Sequence, residues 1–345
     1  MEKPLILKKK EDIPSKATIV EAFNNSLREL FFIENPSLKN DLPKINNLFK
    51  EYLKNKNFEE IWVYYPWRNI AVHTLSENLY YKLRTSRNQN IITEEEQQNY
   101  RNFKAGIAGL SVGSAILSAL VISGGPKVMK IADFDKLEIT NLNRIRAKLL
   151  DIGKNKTIIS ARETWEVDPF ADLYLWEKGI SEKTLEEFIL GKPKLDVFID
   201  EMDDLFLKIL SRLVCKKNKI PILMATDNGD GVILDIERYD LEPERQIFHG
   251  VLGNVDIKEF KNINKEKWLE FANKIIGFEH LTEKMKSSLL EIGKSLPSVP
   301  QLGTTANLAG SAITYAIRLI ANKENISSGK YIISLEKNIR DQEKI

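Results

Sequence analysis

From Lys104 onward the apolar residues of this chain fall into short unbroken runs: KAGIAG, KVMKIADFD, DLYLWE, LDVFIDE and PILMATD. Continuous rather than alternating runs are what strands buried on both faces require. Between them SVGSAILSALVIS, TLEEFIL and LFLKILSRLVCKK place apolar residues three and four apart, the helical period. The alternation predicts an α/β class, a Rossmann-like doubly wound, mostly parallel sheet. Beyond DNGDG, whose glycines mark a sharp turn, GVILDIERYD predicts an antiparallel continuation. A charged helical insertion is expected around 255–295, and a small-residue helix over TTANLAGSAITYAIRLIAN.

The first 80 residues have a different texture and are expected to form a small extension to a main domain over 81–345. IVEAFNNSLRELFF and LPKINNLFKEYLKN read as amphipathic helices, and EEIWVYYPWRN as a short aromatic strand ended by Pro66. SENLYYKLRTSRNQN and ITEEEQQNYRN read as two more helices joined by a polar connection, with Thr93 and Glu96 spaced as a capping box.

With 43% hydrophobic and 29% charged residues among 345, the chain can bury a proper core, which excludes disorder as its main state. Lys plus Arg number 51 against 49 Asp plus Glu. That near balance argues against coating DNA, which needs a one-sided basic surface. A lone Cys215 and three scattered histidines cannot supply a cysteine-rich zinc cage, so no zinc is expected, and a reducing, cytoplasmic setting follows. Ala105 to Pro126 runs 22 residues without a charge, but five are Gly and four Ser, which suits a buried strand, turn and helix better than a membrane span.

Gly109-Leu110-Ser111-Val112-Gly113-Ser114 follows a predicted strand and opens a predicted helix. Backbone N–H groups there, with the helix dipole behind them, make a phosphate site. Twenty residues after Gly113, Asp133 ends the next strand, where a carboxylate meets a ribose hydroxyl. Tight strand-to-helix packing is the plain alternative for such a turn, and Ser111 and Ser114 break the dinucleotide fingerprint. The segment that follows is more telling: Asp133-Phe-Asp135, then Asn141-Leu-Asn143-Arg144, then Gly153-Lys-Asn-Lys156. A polar and basic cluster beside a ribose acid suits a triphosphate and has no evident use in an NAD enzyme.

In this order the motifs resemble the ThiF/MoeB-type adenylyltransferases, the fold shared with ubiquitin-activating enzymes, over about residues 84 to 320. The resemblance implies ATP and Mg²⁺ as cofactors. It implies a nucleotide site built from Gly109, Ser111, Gly113, Asp133, Asp135, Asn141, Arg144 and Lys156, with Asp133 on the ribose and Asn141, Arg144 and Lys156 on the phosphates. Ile199-Asp200-Glu201-Met202-Asp203-Asp204 matches the strand that ends in the magnesium-site Asp, which makes Asp203 the metal residue, with Asp204 as its neighbour. The plain alternative is that this acidic strand end caps the next helix. The family's Arg a few residues further on is Lys208 here. Arg84-Thr-Ser-Arg87 resembles the R-x-x-R segment whose second arginine acts in the partner subunit's site, implying a homodimer with Arg87 in trans.

The departures are as informative. Relatives that pass the acyl group to a thiol carry a Cys in the loop after the sheet; here that loop, DLEPERQIFHGVLG, has none, and Cys215 lies mid-helix as a buried residue would. The implied function is activation of a carboxylate as an acyl-adenylate without an evident thioester step. The carboxylate would be the C-terminus of a ubiquitin-like or sulfur-carrier protein or peptide, or lie on a modified tRNA base. An NAD-dependent oxidoreductase and a non-catalytic nucleotide-binding scaffold are the competing readings.

Overall fold

The computed structural model describes residues 3–40, 42–253, 256–261 and 263–340. The chain divides into two compact units, Met1–Glu94 with Trp165–Phe170, and Glu95–Thr164 with Ala171–Ile345.

In the first unit, β1 (Leu5–Leu7), β2 (Thr18–Glu21), β3 (Glu60–Tyr65) and β4 (Ile70–Leu75) form a sheet in the order β1-β3-β4-β2. Three helices accompany it: α1 (Phe23–Glu34), α2 (Leu42–Asn55) and α3 (Glu77–Thr85). The aromatic segment is thus one arm of a hairpin, closed by a turn in which Asn69 adopts φ 53°. Leu27, Leu30 and Phe31 bury one stripe of α1, and Phe31 meets Phe49 and Tyr52 ring to ring. His73 on β4 is stacked on Trp62 at 4.0 Å, and its ring nitrogens reach Glu21 and Glu60 at 2.7 and 2.9 Å.

The second unit begins with α4 (Glu94–Asn102) and proceeds through β5 (Lys104–Ala108), α5 (Val112–Ile122), β6 (Val128–Ala132), α6 (Lys156–Val167) and β7 (Asp172–Trp176). It continues with α7 (Leu185–Leu190), β8 (Val197–Asp200), α8 (Leu205–Lys217), β9 (Ile222–Asn228) and β10 (Gly231–Glu237). Last come α9 (Lys265–Ile276), α10 (Glu283–Leu290), α11 (Gly303–Ala321), β11 (Gly329–Ser334) and α12 (Leu335–Arg340). The strand order is β11-β10-β9-β8-β5-β6-β7, with β5 to β9 parallel and β10 and β11 antiparallel. The predicted doubly wound, mostly parallel sheet with an antiparallel continuation is what forms.

Every residue of β8 is buried, as helices on both faces require. α7 and α8 close over Ala108, Phe198 and Ile222, while α11 packs along α5, where Gly310 lets the two helices approach. Ala105–Pro126 supplies β5 and α5, and no helix among the described residues is long and apolar enough to cross a membrane. The charged stretch after β10 forms α9 and α10; its residues 255 and 262 lie outside the described residues.

The chain runs outward from β5 to β6 and β7, then returns to place β8 on the other side of β5. The carboxyl ends of β5 and β8 therefore flank the point where the winding reverses, the crevice where open α/β sheets bind ligands.

Candidate active site

The glycine loop leaves β5 at this reversal. Gly109 has φ +91°, and a Cβ there would stand 2.2 Å from the backbone oxygen of Glu201, which follows β8. A side chain is excluded twice over, by the left-handed backbone and by the neighbouring strand end. Gly113 sits in the first turn of α5, and Ser111 is its N-cap.

Asp133, at the end of β6, turns its carboxylate into the loop and accepts from the N–H of Leu110 at 2.7 Å and of Asp135 at 2.8 Å. Burial raises its pKa, and Lys156 with these two N–H groups partly offsets the rise. Asp135 pairs with Lys156 at 2.8 Å, where the lysine begins α6. The intervening turn is closed by Gly153, at φ +81° with nothing within 4 Å of a Cβ there, whose N–H donates to the Leu137 carbonyl.

Asn141 ends a single helical turn, Ile139–Asn141, and its Oδ1 accepts from the Glu138 N–H at 3.1 Å. That turn carries Arg144 toward the glycine loop, where its Nε donates to Ser111 Oγ at 2.9 Å. The serine that breaks the dinucleotide fingerprint is thus a partner of this arginine. Arg144 Nη1 also donates to Asn143 Oδ1 at 2.9 Å, and Asn143 Nδ2 donates to the Gln301 carbonyl at 2.8 Å, just before α11. A Cβ on Gly303, the first residue of α11, would meet the Asn143 carbonyl at 2.3 Å. The N-termini of α5 and α11 therefore both abut the Asn143–Arg144 turn. Burial lowers the Arg144 pKa, opposed by Asp227 and then Asp203.

Asp203 is exposed in the segment between β8 and α8. Asp204 beside it is the N-cap of α8, its Oδ1 accepting from the Leu207 N–H at 2.9 Å. The helix-capping role thus falls to Asp204 and leaves Asp203 outside it. No group of three or more His, Cys, Asp or Glu side chains is placed to hold a metal among the described residues. A nucleotide-borne Mg²⁺ is held through phosphates and one or two carboxylates, so Asp203 fits that need without a cage. Lys208 pairs with Asp200 at 3.2 Å.

Arg84 and Arg87 belong to the other unit. Arg84 pairs with Asp168 at 3.0 Å, and Arg87 is exposed in the turn Ser86–Asn88 that follows α3. Cys215 is buried on α8, and burial pushes its thiol pKa well above the usual range.

Two residues that sequence reading did not single out complete the cluster. Asp227 near the end of β9 is 9% exposed, and burial pushes its pKa up to about 6, with the bond from Gln301 and the charge of Arg144 opposing. Gln301 donates from Nε2 to Asp227 Oδ2 at 3.0 Å. Asp227 lies within DNGDG and reads there as an ordinary turn residue; only the pairing of β8 with β9 brings it to the same sheet edge as the glycine loop.

The family model for the ThiF family matches residues 85–340. The chain belongs to the ThiF family. Within it, the chain is 36% identical over 269 residues to the uncharacterized protein MT1398 of Mycobacterium tuberculosis, a match covering 78% of this chain and 37% of that protein. It is 28% identical over 182 residues to the tRNA threonylcarbamoyladenosine dehydratase of Bacillus subtilis, covering 50% of this chain and 70% of that enzyme. Among solved structures, E. coli MccB crystallised with ATP shares the fold, with a TM-score of 0.51, 18% identity, and coverage of 90% of this chain and 84% of that one.

Proposed function

We propose that this chain is an ATP-dependent adenylyltransferase that activates a carboxylate on a larger molecule, a polypeptide C-terminus or a modified tRNA base. The observation that carries the reading is the hydrogen bond from Arg144 to Ser111. It fixes a guanidinium at the helix N-terminus where a polyphosphate is held, with Lys156 and Asp133 alongside. MccB crystallised with ATP supports the nucleotide, and the tRNA threonylcarbamoyladenosine dehydratase supports a tRNA-borne substrate.

ATP supplies the adenylyl group, and the substrate carboxylate takes it at the α-phosphorus as pyrophosphate leaves. The protein's part is to hold two anions together and spread the developing charge. Arg144 and Lys156 neutralise phosphate oxygens, Asp133 accepts from the ribose, and Asp203 would hold a Mg²⁺ that would offset the charge of the departing pyrophosphate. No protein nucleophile takes part in this step, in keeping with the buried Cys215. ATP–pyrophosphate exchange that depends on Mg²⁺ and collapses in Asp203→Asn is the expected result. Equal binding of NAD and ATP by calorimetry would favour the oxidoreductase instead, and ATP binding without exchange would leave a scaffold.

The active form in this proposal is a two-fold dimer in which Arg87 of the second copy completes each site. Mixing Arg87→Ala with Asp203→Ala subunits then restores roughly a quarter of wild-type exchange, since half the dimers are mixed and each of those has one intact site. Full activity in a stable monomer would defeat the arrangement.

A further inference from the structure

A line of hydrogen bonds runs from the glycine loop to a buried acid. Ser111 accepts from Arg144, Arg144 donates to Asn143, Asn143 donates to the Gln301 carbonyl, and the Gln301 side chain donates to Asp227 Oδ2. At the far end, Asp227 Oδ1 is buried and has no hydrogen-bond partner among the described residues. The line of bonds ties the acid and the Arg144 guanidinium into one connected cluster.

An acceptor-only oxygen cannot partner the oxygens of a phosphate or a carboxylate, so its partner must be a donor group on the second substrate. A buried acceptor left without a donor is costly, and a ligand that supplies the donor gains that difference. The donor must lie near the reacting carboxylate, because Asp227 shares the sheet edge with the glycine loop. An N-acylated amino acid, as at the end of a polypeptide, has one N–H on the carbon that bears its carboxylate.

We propose that Asp227 is a specificity-determining residue whose free Oδ1 accepts the N–H next to the carboxylate to be adenylated, selecting an N-acylated amino acid over an acid that lacks that N–H. Gln301 is its positioning residue, holding the other oxygen so that Oδ1 faces the substrate. The inference rests on the adenylation reading and adds to it the residue that recognises the acyl donor.

The test compares ATP–pyrophosphate exchange driven by N-acetyl amino acids with exchange driven by the matching O-acetyl 2-hydroxy acids, which replace the N–H by oxygen and keep the shape. Wild-type protein is expected to prefer the N–H series by at least ~10-fold in kcat/KM. In Asp227→Asn the preference should shrink to within about twofold, through KM for the acid and not for ATP. An Asp227→Asn protein that retains the full preference overturns the role of Asp227 while leaving adenylation standing. Equal wild-type rates in the two series overturn it as well, without any variant. Exchange with neither series, in protein that binds ATP, removes the adenylation reading and this inference together.

Discussion

Two acidic sites lie within a few residues of each other along the sheet's edge and are built in opposite ways. At Asp200 every oxygen is engaged. Oδ2 accepts from Arg212 at 2.5 Å, and Oδ1 from Lys208 and the Met202 N–H, each at 3.2 Å. Arg212 also binds Glu237 at 2.6 Å and lies over the Phe248 ring at 3.7 Å. The other Glu237 oxygen accepts from Tyr239 and from the N–H of Phe248, both at 2.6 Å, which steadies the left-handed Phe248 backbone. Asp227, also buried, keeps one oxygen unpartnered. Burial raises the pKa of both acids; at Asp200 Lys208 and Arg212 reverse it, and at Asp227 they have no counterpart strong enough. A closed ionic cluster fixes the fold, whereas an open acid that is nearly as buried is kept at a standing cost that a proton or a ligand relieves.

The largest effect that sharpens this contrast is expected from Arg212→Ala. It strands Asp200 and Glu237 in the core and should cost about 3–5 kcal/mol by denaturant unfolding. A loss under about 1 kcal/mol would mean that the closed cluster is not structural.

Asp227→Asn should act in the opposite direction. The folded pKa of about 6 lies above the ordinary 3.8, so the wild type is most stable below that ordinary value and loses stability as pH rises through the folded one. The variant lacks the titration, so between pH 4 and 7 its stability should improve relative to wild type by up to about 3 kcal/mol. Paired melts at the two pH values check this, and a variant that weakens relative to wild type as pH rises would break the contrast.

The smallest effect is reserved for Cys215, whose neighbours are packing partners of the closed cluster. Cys215→Ala should lose about 1–2 kcal/mol and leave exchange intact, and native protein should resist alkylating reagents. A substrate thioester trapped on Cys215 would reverse this assignment.

The sheet was legible because β5, β6, β8 and β9 are buried on both faces and announce themselves as apolar runs. β1 and β2 were not, being edge strands of three and four residues that expose Leu5, Ile6, Ile19 and Val20 and carry no alternation. β4 was hidden by the Pro-Trp-Arg-Asn turn, which reads as an end and is a hairpin bend; β11 is an edge strand that exposes Tyr331 and Ile332. The candidate site was legible where residues are close in sequence, from Asp133 to Lys156. Its remainder depends on strand pairing and on α11 returning to Asn143, so Asp227 and Gln301 had no local signal.

Gly109 and Gly153 share a left-handed backbone, yet they differ in how freely substitution can proceed. At 153 the only constraint is the dihedral, which asparagine meets at small cost, so a saturation library should recover Asn there. At 109 the carbonyl of Glu201 removes that escape: relieving the dihedral still leaves the collision, and moving Glu201 disturbs its carboxyl's bond to the Ala225 N–H. The glycine loop and the strand bearing Asp227 are thereby locked together as one inherited unit, in which no single replacement at position 109 leads to another working sequence.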